Sequence, residues 1–566
     1  MPFYLGISSI DCDVTVTFLK DEKIVYASQE ERFTRQKQQD GFPYHAIEDG
    51  LKFLDIGIND LNAIGFGWLK PEEERRLYLK TGWQSIRESF RSPAPLFQSV
   101  RHALNVIRRG LFINYREWKK SHNTFLDGLN QIGYQGKVTY FHHQLCHIAS
   151  AYYTSGFDKS LVVSLDGYGS GCAGSIYLGA GENLELQAYI PSPQSLGMMY
   201  GRVTKALGFI PNRHEGKVLG LAAYGNPDVY FDEIMKDFIL TEDGFIYLNT
   251  LDPFKNKKIF GEGKKEDLAA AFQKVLETVV VHTVQIYLKK YNLNRVCLAG
   301  GVAANVKMNQ RVMEIEGVEE VFVHPGMSDC GIGTGAALLL AHKNKPFQPY
   351  RLDNVFFGPE FTEAEILEAI QKFDFAYTKE ENPEKRAAEL LAQGYVVGRF
   401  NGRMEYGPRA LCNRTIMAPT QQDDVNKWLN KRLNRTEFMP FAPATLDYMA
   451  DSMYLNVDKI RYTAEFMTIT TDCTDEMKKN SPAAVHVDGT ARPQIVTPKS
   501  NPSMFKILEY YYRLTGVPNL VNTSFNMHEE PIICTPYDAV KTFNDGRLDY
   551  LSIGNYMLES PHIEKH

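Results

Sequence analysis

Apolar and polar positions alternate in short runs from the first residues of the chain. Phe3 to Arg32, "FYLGISSIDCDVTVTFLKDEKIVYASQEER", reads as strand, tight turn, strand, turn, strand. A similar pattern returns from Ser160 to Ile190, "SLVVSLDGYGSGCAGSIYLGAGENLELQAYI". In both, an apolar strand ends in an Asp-containing turn and is followed by an alternating strand and a short hairpin. The repetition predicts two similar α/β halves with a cleft between them. Ligands of open α/β sheets bind at strand carboxyl ends, where these turns lie. Glu266 to Tyr291 is predicted to be a helix, with acidic residues at its start, lysines at its end and a broad apolar face. "RVCLAGGVAANVKMN" and "VEEVFVHPGMSDCGIGTGAALLLAH" each read as a short apolar strand that breaks at small residues and enters a helix, a place where backbone can approach a phosphate. Around Lys345 to Pro359 the regular pattern lapses and proline and aromatic content rises. Helical patterns at 362–373 and 383–393 then lead into a second α/β region. The expected division is 1–345, a linker at 346–360, and 361–566.

Candidate chemistry begins in "FHHQLCHIASAYYTSGF", where His143 and His147 share one face of a predicted helix. Asp166 ends the strand "LVVSLD", and Asp329 sits at the turn into a glycine-rich helix start. Two imidazoles and two carboxylates suit a divalent transition metal and neutralise its charge. By spacing alone, the histidines also read as an ordinary helix face, Asp166 as a turn residue and Asp329 as a helix N-cap.

Composition narrows the field. A chain of 566 residues exceeds one hydrophobic core, and 44% hydrophobic with 23% charged residues is ordinary for globular proteins. Lys+Arg of 62 against Asp+Glu of 68 gives −6, which argues against a general polyanion binder but leaves room for a local basic pocket. No apolar run approaches the ~20 residues of a membrane span. Asp11 and Asp13 stand where a signal peptide would be apolar, so a cytoplasmic location is expected. The eight cysteines are scattered without a CxxC pair, which fits neither a disulfide framework nor a zinc ribbon.

The segments "EERFTRQK", "HHQLCH", "SLDGYG", "EGKVLGLAAYG", "LAGGVAANVKMN" and "HPGMSDCGIGTGAA" occur in this order, followed by "GRMEYGPRAL", "FMPFAPA", "VDGTARPQIV" and "LVNTSFNMHEEPI". As a set they resemble the NodU/CmcH-type O-carbamoyltransferases over nearly the whole chain. The resemblance implies an α/β protein of two parts, a duplicated actin/sugar-kinase-like (TsaD-like) domain followed by a YrdC-like domain. It implies that the second domain joins carbamoyl phosphate to ATP, giving carbamoyl-adenylate and releasing pyrophosphate. The first would then deliver the carbamoyl group to a hydroxyl of a small metabolite. His143, His147, Asp166 and Asp329 match the family's metal ligands, for iron or another divalent ion, with Mg2+ accompanying ATP. Arg409, Arg492, Ser524, Asn526 and Lys37 match catalytic positions, and Arg414 is a secondary candidate. Gly300, Gly301, Asn305, Glu215, Lys217 and Arg435 match the nucleotide side. Planar arginines suit a pocket in which two phosphate-bearing anions must meet. The implied partners are carbamoyl phosphate and a small-molecule acceptor, and the resemblance admits a homodimer. Nucleic acid is disfavoured by net acidity and by the lack of a basic stripe.

Some positions depart from the family's pattern. Ile10 stands where a histidine is usual, and isoleucine cannot move a proton. Asn434, Thr436 and Met439 replace a lysine, a glutamate and an arginine, and Cys412 replaces a glycine after "GPRAL". Each lost charge-assisted hydrogen bond is worth about 1.5–3 kcal/mol. The departures keep two alternatives open: ATP-dependent adenylation of a different carboxylate or carbamate, or a non-catalytic nucleotide-binding homologue. The acceptor would be set by loops such as 67–116, which carry no recognisable specificity code.

Overall fold

The computed structural model describes residues 1–8, 13–89, 104, 107–108, 114–248, 263–422, 425–433 and 440–563. Ile10, Asn434, Arg435, Thr436 and Met439 lie outside the described residues. The chain forms two compact units, Met1–Val25 with Gln39–Arg351, and Tyr26–Gln38 with Leu352–His566.

The first unit carries the expected duplication. Its first sheet is built from β1 (Phe3–Ser8), β2 (Thr15–Lys20), β3 (Lys23–Gln29), β4 (Ala63–Phe66) and β5 (Val138–Tyr140), in the order β3-β2-β1-β4-β5. The second uses β6 (Lys159–Gly169), β7 (Cys172–Ala180) and β8 (Asn183–Pro191). A separate two-stranded pair follows, β9 (Phe238–Thr241) with β10 (Gly244–Tyr247). β11 (Arg295–Ala299) and β12 (Glu320–Val323) complete the second sheet in the order β12-β11-β6-β7-β8. In each sheet an antiparallel meander is extended from its first strand by two parallel strands, so the two halves share one topology. This is the doubled α/β arrangement that the repeated sequence pattern predicts.

Helices bring the motifs to these sheets. They are α1 (Pro71–Ser89), α2 (His143–Tyr153), α3 (Leu196–Ala206), α4 (Glu215–Ala222), α5 (Lys265–Tyr291), α6 (Val306–Met313) and α7 (Cys330–Asn344). The apolar helix α7 packs on α2 and on β1 and β2. Glycine makes the approach possible: a Cβ at Gly335 would lie 1.9 Å from the carbonyl oxygen of Cys146, between the two histidines of α2. One at Gly6 would lie 1.9 Å from the carbonyl oxygen of Gly333.

The second unit is a mixed eight-stranded sheet. Its strands are β13 (Ala376–Lys379), β14 (Val397–Phe400), β15 (Arg414–Pro419) and β16 (Ala442–Leu446), with a small separate pair β17 (Thr471–Asp472) and β18 (Thr490–Ala491). β19 (Gln494–Val496), β20 (Asn519–Ser524), β21 (Tyr550–Ile553) and β22 (Tyr556–Glu559) follow, and the order is β13-β22-β21-β14-β15-β20-β16-β19. Side chains alternate between two cores, as the strand period requires. Ile416, Ala418 and Val521 enter one with Val540 and Phe543. Met417 and Leu520 enter the other, beneath α8 (Pro383–Ala392) and α9 (Pro502–Thr515).

Gly335→Ala would force α7 away from α2 against backbone, not against a flexible side chain. It is expected to destabilise the first unit by about 1–3 kcal/mol, visible as a lower first transition in thermal denaturation.

Candidate metal and nucleotide site

Asp166 leaves the β6–β7 ladder where its register breaks, between Leu165 and Gly169. Such an irregularity re-aims a strand side chain, and here the carboxylate meets α2. Asp166 Oδ2 lies 3.1 Å from His143 Nε2 and 3.6 Å from His147 Nε2. Asp329 Oδ1 lies 3.7 Å and 3.5 Å from the same two nitrogens. Asp329 does occupy the N-cap position of α7, yet its side chain accepts nothing from that helix. Both histidines are fully buried, and the four ligand atoms lie within 4.8 Å of one another.

The electrostatics fit a cation. Burial acts against a charged His147, but the neighbouring Asp166 and Asp329 carboxylates push its pKa up to about 9. Burial acts against an ionised Asp166, and the same two histidines hold its carboxyl far below the usual range. His147 Nε2 makes no hydrogen bond, although it is buried. Donors bound at about 2.0–2.2 Å to a common ion lie roughly 3.0–3.5 Å apart, close to the spacing found. The four His–Asp distances therefore suit a shared divalent metal.

The other Asp166 oxygen faces the glycine turn. Asp166 Oδ1 accepts the Gly301 N–H at 3.1 Å, and the Asp166 carbonyl accepts from Ser195 Oγ at 3.0 Å. Gly300 has φ 88° and packs so closely on Leu165 that a Cβ would lie 2.3 Å from its carbonyl oxygen. Only glycine meets both demands. Asn305 caps α6 through Met308 N and exchanges hydrogen bonds with Gln273, which in turn accepts from Tyr200. Glu215 accepts from Asn212 N at 2.7 Å, and burial raises its pKa. Glu215 also contributes to the raised pKa of Tyr200, after burial and Glu277. Gly300 and Gly301 thus pack against Leu165 and Asp166, Asn305 is tied through Gln273 to Tyr200, and Glu215 and the buried Lys217 lie on α4. Tyr200 and Gln273 carry no motif in the sequence.

In the second unit, Asn522 on β20 donates to the Ala410 carbonyl at 3.1 Å and to Gln494 Oε1 at 2.5 Å, and Cys412 Sγ donates to the same Gln494 oxygen at 3.0 Å. That buried network draws together the stretches carrying Arg409, Arg492 and Ser524, all three half-buried. Asn526 is buried, and its amide donates to the carbonyls of Met527 and Glu530. Lys37 lies in the segment that Arg32 ties to the Gly407 carbonyl and Arg35 to the carbonyls of Pro531 and Ile532. Arg414, a secondary candidate, is fully buried and donates to the carbonyls of Asn401, Gly402 and Asn413. Its guanidinium lies 3.7 Å above the Phe400 ring. It is a structural post for the motif turn.

Sequence reading also missed Glu74, hidden in the charge run of α1. Phase reveals it: Glu74, Tyr78, Thr81 and Ser85 are buried, whereas Glu72 and Glu73 are exposed. Glu74 Oε1 accepts from Ser170 Oγ at 2.7 Å and from Leu69 N at 3.1 Å, and burial raises its pKa to about 7. Between pH of about 4.5 and 7 the metal-free folded state therefore holds a proton that the unfolded chain has lost, and stability falls as pH rises through that window. Glutamine carries no such penalty. Glu74→Gln is expected to gain up to about 3 kcal/mol on wild type from pH 4.5 to 7.5, read as diverging melting temperatures of the metal-free proteins.

The profile described as carbamoyltransferase N-terminus matches residues 4–338, and the one described as carbamoyltransferase C-terminus matches residues 388–560. An uncharacterized protein of Synechocystis sp. is 32% identical over 99% of this chain and 97% of its own length. Nodulation protein NolNO of Sinorhizobium fredii is 29% identical over 97% of this chain and 79% of its own. Nodulation protein NolO of Bradyrhizobium diazoefficiens is 33% identical over 74% and 78% respectively. Among the described residues no helix is long and apolar enough to cross a membrane. The chain belongs to the carbamoyltransferase family and is a transferase of carbamoyl groups.

Proposed function

We propose that the protein is an ATP-dependent O-carbamoyltransferase acting on a hydroxyl of a small biosynthetic metabolite. In this reading, the second unit takes carbamoyl phosphate and Mg2+–ATP. Water attacks the carbamoyl carbon and orthophosphate leaves; an oxygen of the resulting carbamate attacks the α-phosphorus of ATP, and pyrophosphate leaves. The carbamoyl-adenylate then serves the first unit, where the acceptor oxygen displaces AMP from the carbamoyl carbon. The observation that carries the reading is the cluster of His143, His147, Asp166 and Asp329 beside the Gly300–Gly301 turn.

Each residue has a task that its environment supports. His143, His147, Asp166 and Asp329 would hold an iron(II) or similar ion, which when bound supplies a Lewis acid for the carbamoyl carbonyl or the leaving phosphate. The Gly300–Gly301 backbone and Asn305 would border the adenylate, with Glu215 and Lys217 on its far side. Because Arg414 is spent on backbone carbonyls, anion binding in the second unit would fall to Arg409 and Arg492. Lys37 would add charge and Ser524 and Asn526 would orient the carbamoyl end, while Arg435 keeps the nucleotide-side role that the family resemblance implies.

Pyrophosphate–ATP exchange tests the first half-reaction. Exchange that requires carbamoyl phosphate is expected, and Arg409→Ala or Arg492→Ala should lower it on the order of a hundredfold. His147→Ala should leave exchange intact and abolish transfer to any acceptor in a panel of hydroxylated metabolites. Exchange indifferent to carbamoyl phosphate would point to adenylation of another carboxylate or carbamate, and no exchange with the metal-loaded protein would count against catalysis of this kind.

A further inference from the structure

We propose that Glu74, acting through Ser170, is a positioning residue for the metal ligands: it fixes the N-terminus of α2, and with it His143 and His147, against the hairpin that carries Asp166. The inference rests on the metal-site reading above.

A ligating histidine is ordinarily oriented by a hydrogen bond from its second ring nitrogen. Here Nδ1 of both His143 and His147 is buried without a hydrogen-bond partner. Ring orientation must then come from packing and from the backbone. Packing is provided by Trp68, 4.4 Å from the His143 ring, and by Gly169, where a Cβ would lie 2.1 Å from His143 Cδ2. The backbone anchor is the hydrogen-bond chain. Helix α2 has no side-chain cap of its own, and its first N–H, from His143, is donated to Ser170 Oγ at 3.0 Å. That hydroxyl donates its own proton to Glu74. The chain thus has one direction and ends on a carboxylate, which the positive end of α2 favours.

The hairpin tip is held as tightly as the helix. Ser170 and Gly171 both have positive φ, 50° and 78°, the pattern of a two-residue turn between twisted strands. Gly171 presses on α1, where a Cβ would lie 2.7 Å from the Leu77 carbonyl carbon, and its carbonyl accepts from Thr81 Oγ1 at 2.5 Å. The tip sits four residues beyond Asp166, so a shift of the tip would be passed to both kinds of ligand. Glu74 keeps this post at a cost, because its Oε2 is buried with no hydrogen-bond partner.

The test uses Co2+ and the full-length metal-free protein. Wild type should bind one Co2+ with a visible d–d absorption band, and His147→Ala should abolish it. Ser170→Ala and Glu74→Ala should each weaken Co2+ by about 10- to 100-fold and shift the band. The double variant should be no weaker than the worse single one, since both act through the same chain. Ser170→Thr should restore part of the affinity. Glu74→Gln, which keeps both accepted bonds, should stay near wild type and serves if Glu74→Ala does not fold. Wild-type affinity and spectrum in folded Ser170→Ala and Glu74→Ala would overturn the positioning role alone. A wild type that ignores Co2+, or a His147→Ala protein that still binds it, would overturn the metal reading and this inference with it.

Discussion

Asp166 places a negative charge inside the first unit, and the surrounding architecture answers that charge. Removing a carboxylate from water costs several kcal/mol unless partners replace its hydration. Here His143 and His147 meet one oxygen and the Gly301 N–H meets the other. The partners arrive on two elements: a helix after β5, and a glycine turn after β11. The strand irregularity that turns Asp166 out of the ladder is what lets one side chain meet both. Metal-type ligands and a phosphate-type backbone turn are thereby joined through a single carboxylate.

Much of the first unit was legible because its signal is local. A strand–turn–strand meander has a period of two and glycine-bearing turns, and it occurs twice within the text. The order of the strands was not local, since β4 and β11 must cross over to extend each meander from its first strand. The four metal-type ligands were ambiguous by spacing, because an i,i+4 histidine pair and a helix-capping aspartate are common alone. Asp329 shows why: it holds the cap position while its side chain serves the histidines. Glu74 was overlooked because "PEEERR" reads as a solvated run, and only helical phase separates its buried carboxylate from the exposed ones. Residues 26–38 were not readable as part of the second unit, since hydrogen bonds to positions hundreds of residues away fix them there.

Close approach recurs wherever motifs meet. Gly335 lets the helix bearing Asp329 touch the helix bearing the histidines, and Gly300 lets the nucleotide-side turn touch the end of β6. Cys412 is an instructive exception. It stands where the family usually has glycine, and it keeps a glycine-like conformation, φ 80°. A side chain in that region costs of order 1–2 kcal/mol. The buried thiol offsets part of this through its contact with Gln494, inside the network that links the Ala410, Gln494 and Asn522 stretches. The backbone path was retained although the residue that makes it easy was not.

Both units also use a buried glutamate in the same uneven way. Glu405 Oε1 accepts the N–H groups of Leu411, Asn413 and Arg414, shaping the turn after Arg409, while its Oε2 is buried without a hydrogen-bond partner. Glu74 does likewise with Leu69 N and Ser170 Oγ. A carboxylate that satisfies several donors with one oxygen is a strong organiser of loops, because charge-assisted hydrogen bonds are roughly twice as strong as neutral ones. Leaving the second oxygen dry forfeits about 1–3 kcal/mol of solvation at each site. A stability-optimised core would use glutamine or an apolar residue at such a position. That the same imbalance falls beside the metal-type cluster in one unit and beside the arginine turn in the other means that loop geometry at these sites outweighs stability.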